Sequence, residues 1–115
     1  MPSTFIKLGE TFVKERNSIT VTAYFRDNSN AADTPTTVHY RIDDITTTTK
    51  ITDWTTVTPG TSVAIVVKSN ENRIVNQGDQ RERRQITVSS DKGTTTETRD
   101  TKEWFIENIG GFDEV

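Results

Sequence analysis

The chain has 115 residues, 14 basic and 17 acidic, for a net charge of −3. Only 30% of its residues are apolar and none is cysteine. One domain of ordinary size is expected. Disulfides, thiol chemistry and zinc–thiolate sites are excluded, and the charge is not the footprint of a nucleic-acid binder.

Threonine occurs 22 times, valine and isoleucine ten times each, and leucine once, at Leu8. β-branched side chains lose rotamer freedom on a helix and pack well on a pleated sheet. The composition therefore predicts an all-β fold and excludes an α-bundle, a Rossmann domain or a TIM barrel. No apolar run approaches the roughly 18 residues of a membrane-spanning helix. The opening Met1-Pro2-Ser3-Thr4-Phe5-Ile6-Lys7 lacks the apolar stretch of a secretory signal, so none is expected.

Phe5, Ile6, Leu8, Phe12 and Val13 come first and read as a first strand, an N-terminal arm, or both, with Gly9 as the break. Ile19, Val21, Ala23 and Phe25 alternate with Thr20, Thr22 and Tyr24, which predicts a half-buried strand over 18–27. An Asx-rich loop follows, Asp27 to Pro35. Val38, Tyr40 and Ile42 alternate over 36–43, and Asp43-Asp44 ends that strand by starting a turn. A short edge strand is expected over 50–54, a tight turn at Pro59-Gly60, and a strand over 61–68 built on Val63, Ile65 and Val67. The polar stretch 69–80, with Ile74-Val75 pinned in its middle, is too long for a hairpin and predicts a crossing between sheets. Strands over 82–90 and 94–107 flank a hairpin turn at Ser90-Asp91-Lys92-Gly93.

Six or seven short strands with a turn signal every 8–12 residues or so predict an immunoglobulin-like β-sandwich. The expected domain is 18–107, with 1–17 as arm or first strand and 108–115 as a tail. The expected core is Ile19, Val21, Phe25, Val38, Tyr40, Ile42, Val63, Ile65, Val67, Ile86, Val88 and Trp104.

Catalytic and metal-binding patterns are weak, and no catalytic residue, metal ligand or cofactor is assigned. The single histidine, His39, lies on the outward phase of its strand and reads as solvated; no Gly-x-Ser-x-Gly elbow accompanies it. Asp27, Asn30 and Asp33 lack the spacing, glycine and closing glutamate of a calcium loop. In Arg81-Glu82-Arg83-Arg84, Arg81 and Arg83 share one strand face, Glu82 and Arg84 the other. This reads as a solvated strand paired with carboxylates, or as a protein interface clamping carboxylates, or as a phosphate contact. The threonine runs at 46–49 and 94–96 read as strand and loop tips. Trp54 is the one tryptophan outside the expected core and the only candidate platform for a sugar.

The termini are the candidate partner contacts. Phe5, Ile6 and Leu8 in an arm, and Ile109 and Phe112 around Gly110-Gly111, would be exposed unless packed on something. Extended arms can add a strand to a neighbour's sheet edge. With Arg81 and Arg83 they make up the expected partner-binding set.

Three blocks carry a resemblance to a known family. They are Ser18-Ile19-Thr20-Val21-Thr22-Ala23-Tyr24-Phe25-Arg26-Asp27; Thr34-Pro35-Thr36-Thr37-Val38-His39-Tyr40-Arg41-Ile42-Asp43-Asp44; and the stretch from Ile51-Thr52-Asp53-Trp54 through Pro59-Gly60 to Val63. It resumes at Arg81-Glu82-Arg83-Arg84-Gln85-Ile86-Thr87-Val88 and ends near Trp104. Over these blocks the chain resembles small immunoglobulin-like structural proteins of tailed bacteriophages. The resemblance implies a non-enzymatic virion protein of the capsid decoration or cement type, made in the bacterial cytoplasm. Its implied partners are the major capsid protein and neighbouring copies of itself, as a possible homo-oligomer, with no membrane and no specific nucleic acid. A head–tail connector, a tail component or a carbohydrate-binding adhesion module are the alternatives. The family has no functional-residue motif to carry over.

Overall fold

The structure is a computed structural model that describes residues 3–8 and 11–109. Among them are eight strands: β1 (Ser3–Leu8), β2 (Phe12–Lys14), β3 (Ile19–Arg26), β4 (Val38–Asp44), β5 (Thr49–Val57), β6 (Ser62–Val67), β7 (Arg81–Ser90) and β8 (Thr98–Glu107). They form two sheets, β1-β3-β6 and β2-β8-β7-β4-β5. The domain is all-β, as the composition predicts.

Alternation drives the burial. Val21, Ala23 and Phe25 of β3 and Val63, Ile65 and Val67 of β6 are buried from one sheet, and from the other Val38 of β4 with Tyr40 and Ile42, which pair with Val88 and Ile86 of β7. Trp104 and Ile106 of β8 complete the layer between the sheets. Burying each such side chain stabilises the fold by about 1.5–3 kcal/mol. Ile19, expected in the core, is half-buried and packs on its margin. Ile6, Val13, Ile74 and Ile106 join the core without having been placed there from the sequence.

Residues 3–8 and 12–14 are built into the fold as strands rather than standing off as an arm. β1 pairs antiparallel with β3, placing Ile6 opposite Ala23, and β2 pairs parallel with β8 in the other sheet. β1 is also tied to β8 by side chains. The Ile6 N–H donates to the Asp100 carboxylate at 3.0 Å, and the Thr4 and Thr98 hydroxyls meet at 2.7 Å.

Two boundaries differ from expectation. β5 runs nine residues, with register shifts against β4 between Tyr40 and Asp43. β8 starts at Thr98, because residues 94–97 coil into the turn: the Thr94 N–H donates to the Asp91 carbonyl, and the Glu97 carboxylate accepts the Gly93 N–H. Gly93 has φ +84°, which glycine alone adopts at no steric cost.

The segment between β6 and β7 does cross from one sheet to the other, and buried polar groups hold it. It opens with a short 3₁₀ turn, Ser69–Asn72. The fully buried Asn72 accepts the Trp104 Nε1–H at 2.9 Å and donates to the Asn17 carbonyl at 2.7 Å. Glu82, also fully buried, accepts the Val75 and Asn76 N–H groups at 2.7 and 2.9 Å. Arg84 donates to the Glu71 and Arg73 carbonyls and lies 3.4 Å from both Asp44 and Glu82. Of the apolar pair in its middle, Ile74 is buried and Val75 is 43% exposed.

This corrects the reading of 81–84 as a solvated strand for Glu82 and Arg84, while Arg81 and Arg83 are exposed as that reading has them. Glu82 and Arg84 share the inward phase of Ile86 and Val88, and both side chains are sealed from water. Burial lowers the Arg84 pKa, opposed by the Asp44 and Glu82 carboxylates. Burial raises that of Glu82, opposed by its two backbone donors.

Candidate interaction surface

The outward side chains of the five-stranded sheet form two groups of aromatic rings and cations. In the first, the β2–β8 register sets Phe12 opposite Phe105, and the β7–β8 register sets Phe105 opposite Arg83. The two phenyl rings stack, with centroids 5.3 Å apart and planes within 18°. Arg81, two residues along β7 on the same face, holds its guanidinium 5.6 Å from the Phe12 centroid and 5.7 Å from that of Phe105. Arg83 pairs with Glu103 at 3.5 Å. Phe12 is 50% exposed, a large apolar area for an isolated position. A rigid apolar plate beside a guanidinium suits a partner carboxylate next to an apolar side chain.

The second group surrounds Trp54, at the irregular stretch of β5. Arg41, Lys92 and Arg99 carry their charges 5.7, 5.0 and 5.1 Å from its ring centroids. Arg41 donates two hydrogen bonds to Asp43, at 2.9 and 2.7 Å, which raises its pKa. Arg99 pairs with Glu97. The Ser89 hydroxyl, then Arg99 and the Gly93 N–H, pull the Glu97 pKa down to about 2. The indole is half-buried. The cations lie close around its ring, whereas stacking a neutral sugar needs an open ring face. A cleft of about 450 Å³ opens beside the β4–β5 turn, lined by Arg41, Asp43, Thr48, Lys50 and Gln85 among others.

The expected partner-binding residues do not converge. Arg81 and Arg83 are exposed on the outer face of the five-stranded sheet. Phe5 lies on the outer face of the other sheet, half-buried and stacked on Tyr24 at 5.1 Å, with Lys7 and Arg26 nearby. Ile6 is 3% exposed in the core and Leu8 packs against it, so neither forms part of an exposed arm. Ile109 is half-buried, and Phe112 lies outside the described residues. Phe12 and Phe105 belong with Arg81, which no local pattern reveals, because a parallel pairing between distant strands leaves no mark in local periodicity.

His39 is half-buried rather than solvated, with an Nδ1 that has no hydrogen-bond partner among the described residues. In the Asx-rich loop the Asp27 carboxylate accepts the Ser29 and Ala31 N–H groups, an Asx turn. Among the described residues no group of three or more acidic or histidine side chains could hold a metal ion. In comparisons with known proteins, no family model matches this chain and no curated protein is significantly similar to it.

Proposed function

We propose that this is a non-enzymatic structural protein of a tailed-phage particle, a decoration or cement protein that docks on the major capsid protein through the outer face of its five-stranded sheet. The observation that carries the docking surface is the exposed Phe12–Phe105 stack with Arg81 beside it. Aromatic and arginine side chains dominate the binding energy of protein interfaces. The assignment to a phage particle rests on the resemblance of the sequence blocks between Ser18 and Trp104.

An immunoglobulin-like reading of the two-sheet fold goes with it. The split first strand supports it: β1 lies in one sheet and β2 runs parallel to the last strand in the other. The central tryptophan sits on β8, the last strand in chain order, whereas antibody domains place theirs on an earlier strand, the third, against a disulfide.

The experiment is to purify particles with and without the protein. Decoration predicts a copy number on the order of hundreds, following the shell lattice, and genome loss at a lower temperature without it. About six or twelve copies would instead favour a ring at the head–tail junction or in the tail. Particles equally robust without the protein would remove the cement role.

A further inference from the structure

Each sheet ends in two edge strands, and three of the four are blunted. β2 has only three residues. β5 breaks register against β4 and exposes Lys50 and Asp53. β1 is flanked by β8, whose Asp100 takes the Ile6 N–H and whose Thr98 meets Thr4. Charges, irregularities, shortness and cover are the usual means by which edges avoid pairing.

β6 has none of them. Ser62-Val63-Ala64-Ile65-Val66-Val67 carries no charge and no proline, and its register with β3 is unbroken from Ile19–Val67 to Tyr24–Ser62. Among the described residues, β3 is its only strand neighbour. Its outward residues Ser62, Ala64 and Val66 are exposed, Val66 by 55%.

We propose that β6 pairs antiparallel with β6 of a second copy about a two-fold axis, joining two three-stranded sheets into one continuous sheet. The strand is complementary to itself. Matching faces across the pair requires outward residues to oppose outward residues. With Ile65 on the axis, Val66 of each copy lies opposite Ala64 of the other, large against small. Lys68 lies opposite Ser62, so no like charges meet head-on. An unrelated peptide would find no charge along this edge to select it. One strand pair buries less than the roughly 1,200–2,000 Å² of a stable complex, so the dimer is weak in solution and gains where many copies are held together. The contact does not depend on the particle reading: a chain that binds particles but never dimerises would remove this proposal alone.

Sedimentation velocity of the full chain over a concentration series tests it, with Val66→Lys as the comparison. The Val66 side chain already faces water, and an unchanged melting temperature checks that the variant folds. The native chain is expected to shift from monomer toward dimer with concentration, and Val66→Lys to weaken the dimer at least about tenfold. A monomer up to the solubility limit, or a dimer indifferent to Val66→Lys, overturns the proposal. Because the native chain has no cysteine, an equal mixture of Ala64→Cys and Val66→Cys gives a second reading. Opposed strand residues lie within disulfide reach. Mild oxidation should favour the mixed disulfide over either homodimer, and a failure to do so contradicts the register.

Discussion

The indole Nε1 of Trp104 donates to Oδ1 of Asn72 at 2.9 Å, and both residues are sealed from water. This contact joins the last strand to the crossing segment. It satisfies the one polar atom of the largest core side chain, which would otherwise be costly to bury. Asn72→Ala should cost about 1–3 kcal/mol by leaving the indole donor unpaired. Trp104→Ala should cost about 3–5 kcal/mol. The double variant should lose less than the sum of the two, measured by urea unfolding. Additive losses would show that the two residues act independently.

Arg84 is the second anchor of the crossing segment. Removing its charge leaves Asp44 and Glu82 buried without their cation, so Arg84→Ala should destabilise by about 3–5 kcal/mol. Arg84→Met, which fills the space without the charge, isolates what packing alone restores. Against a domain stability of about 5–15 kcal/mol the alanine variant approaches unfolding. A loss under about 1 kcal/mol in chemical denaturation would show the cluster to be dispensable.

Acid stability is expected to depend on Glu97. Its folded pKa of about 2, against an ordinary 4.5, adds stability that is complete above 4.5 and is lost as the pH falls toward 2. Asp53 acts in the same sense, held down by the Trp54 N–H and by Lys50. Glu82 acts the other way: its raised pKa removes stability as the pH rises above 4.5. Glu97→Gln should therefore flatten the fall of the melting temperature between pH 4.5 and 2. An unchanged slope would show that the Ser89 and Arg99 contacts do not persist in solution.

Thr48 in the β4–β5 turn has φ 55°, a left-handed conformation that a β-branched residue tolerates poorly. Thr48→Gly should raise stability by about 1 kcal/mol in thermal or chemical denaturation. A destabilised variant would mean that the threonine side chain contributes more than the strain costs.

Much of the fold was legible because burial in a strand follows a period of two. Val21, Phe25, Val38, Ile42, Ile86 and Val88 all face inward as their alternation requires. The same phase extends to Glu82, Arg84 and Asp44, which continue the inward rows of β7 and β4. Their charge argued for water, and nothing local shows that backbone donors and acceptors of the crossing segment await them. The N-terminal strands were ambiguous for a related reason: whether Ile6 and Val13 pack on their own domain depends on β3 and β8, far along the chain. The surface was the least legible part. Arg81 was picked out by charge, but Phe12 and Phe105 become its neighbours only through the parallel β2–β8 pairing.

Binding of the chain to purified particles stripped of it, compared with Phe12→Ala and Arg81→Ala, tests the docking surface most directly. Both positions lie on the outer face, so the variants should keep the native melting temperature. Each should bind roughly thirtyfold more weakly, the effect of truncating an interface anchor. Native affinity in both variants would contradict the proposal that this face meets the capsid.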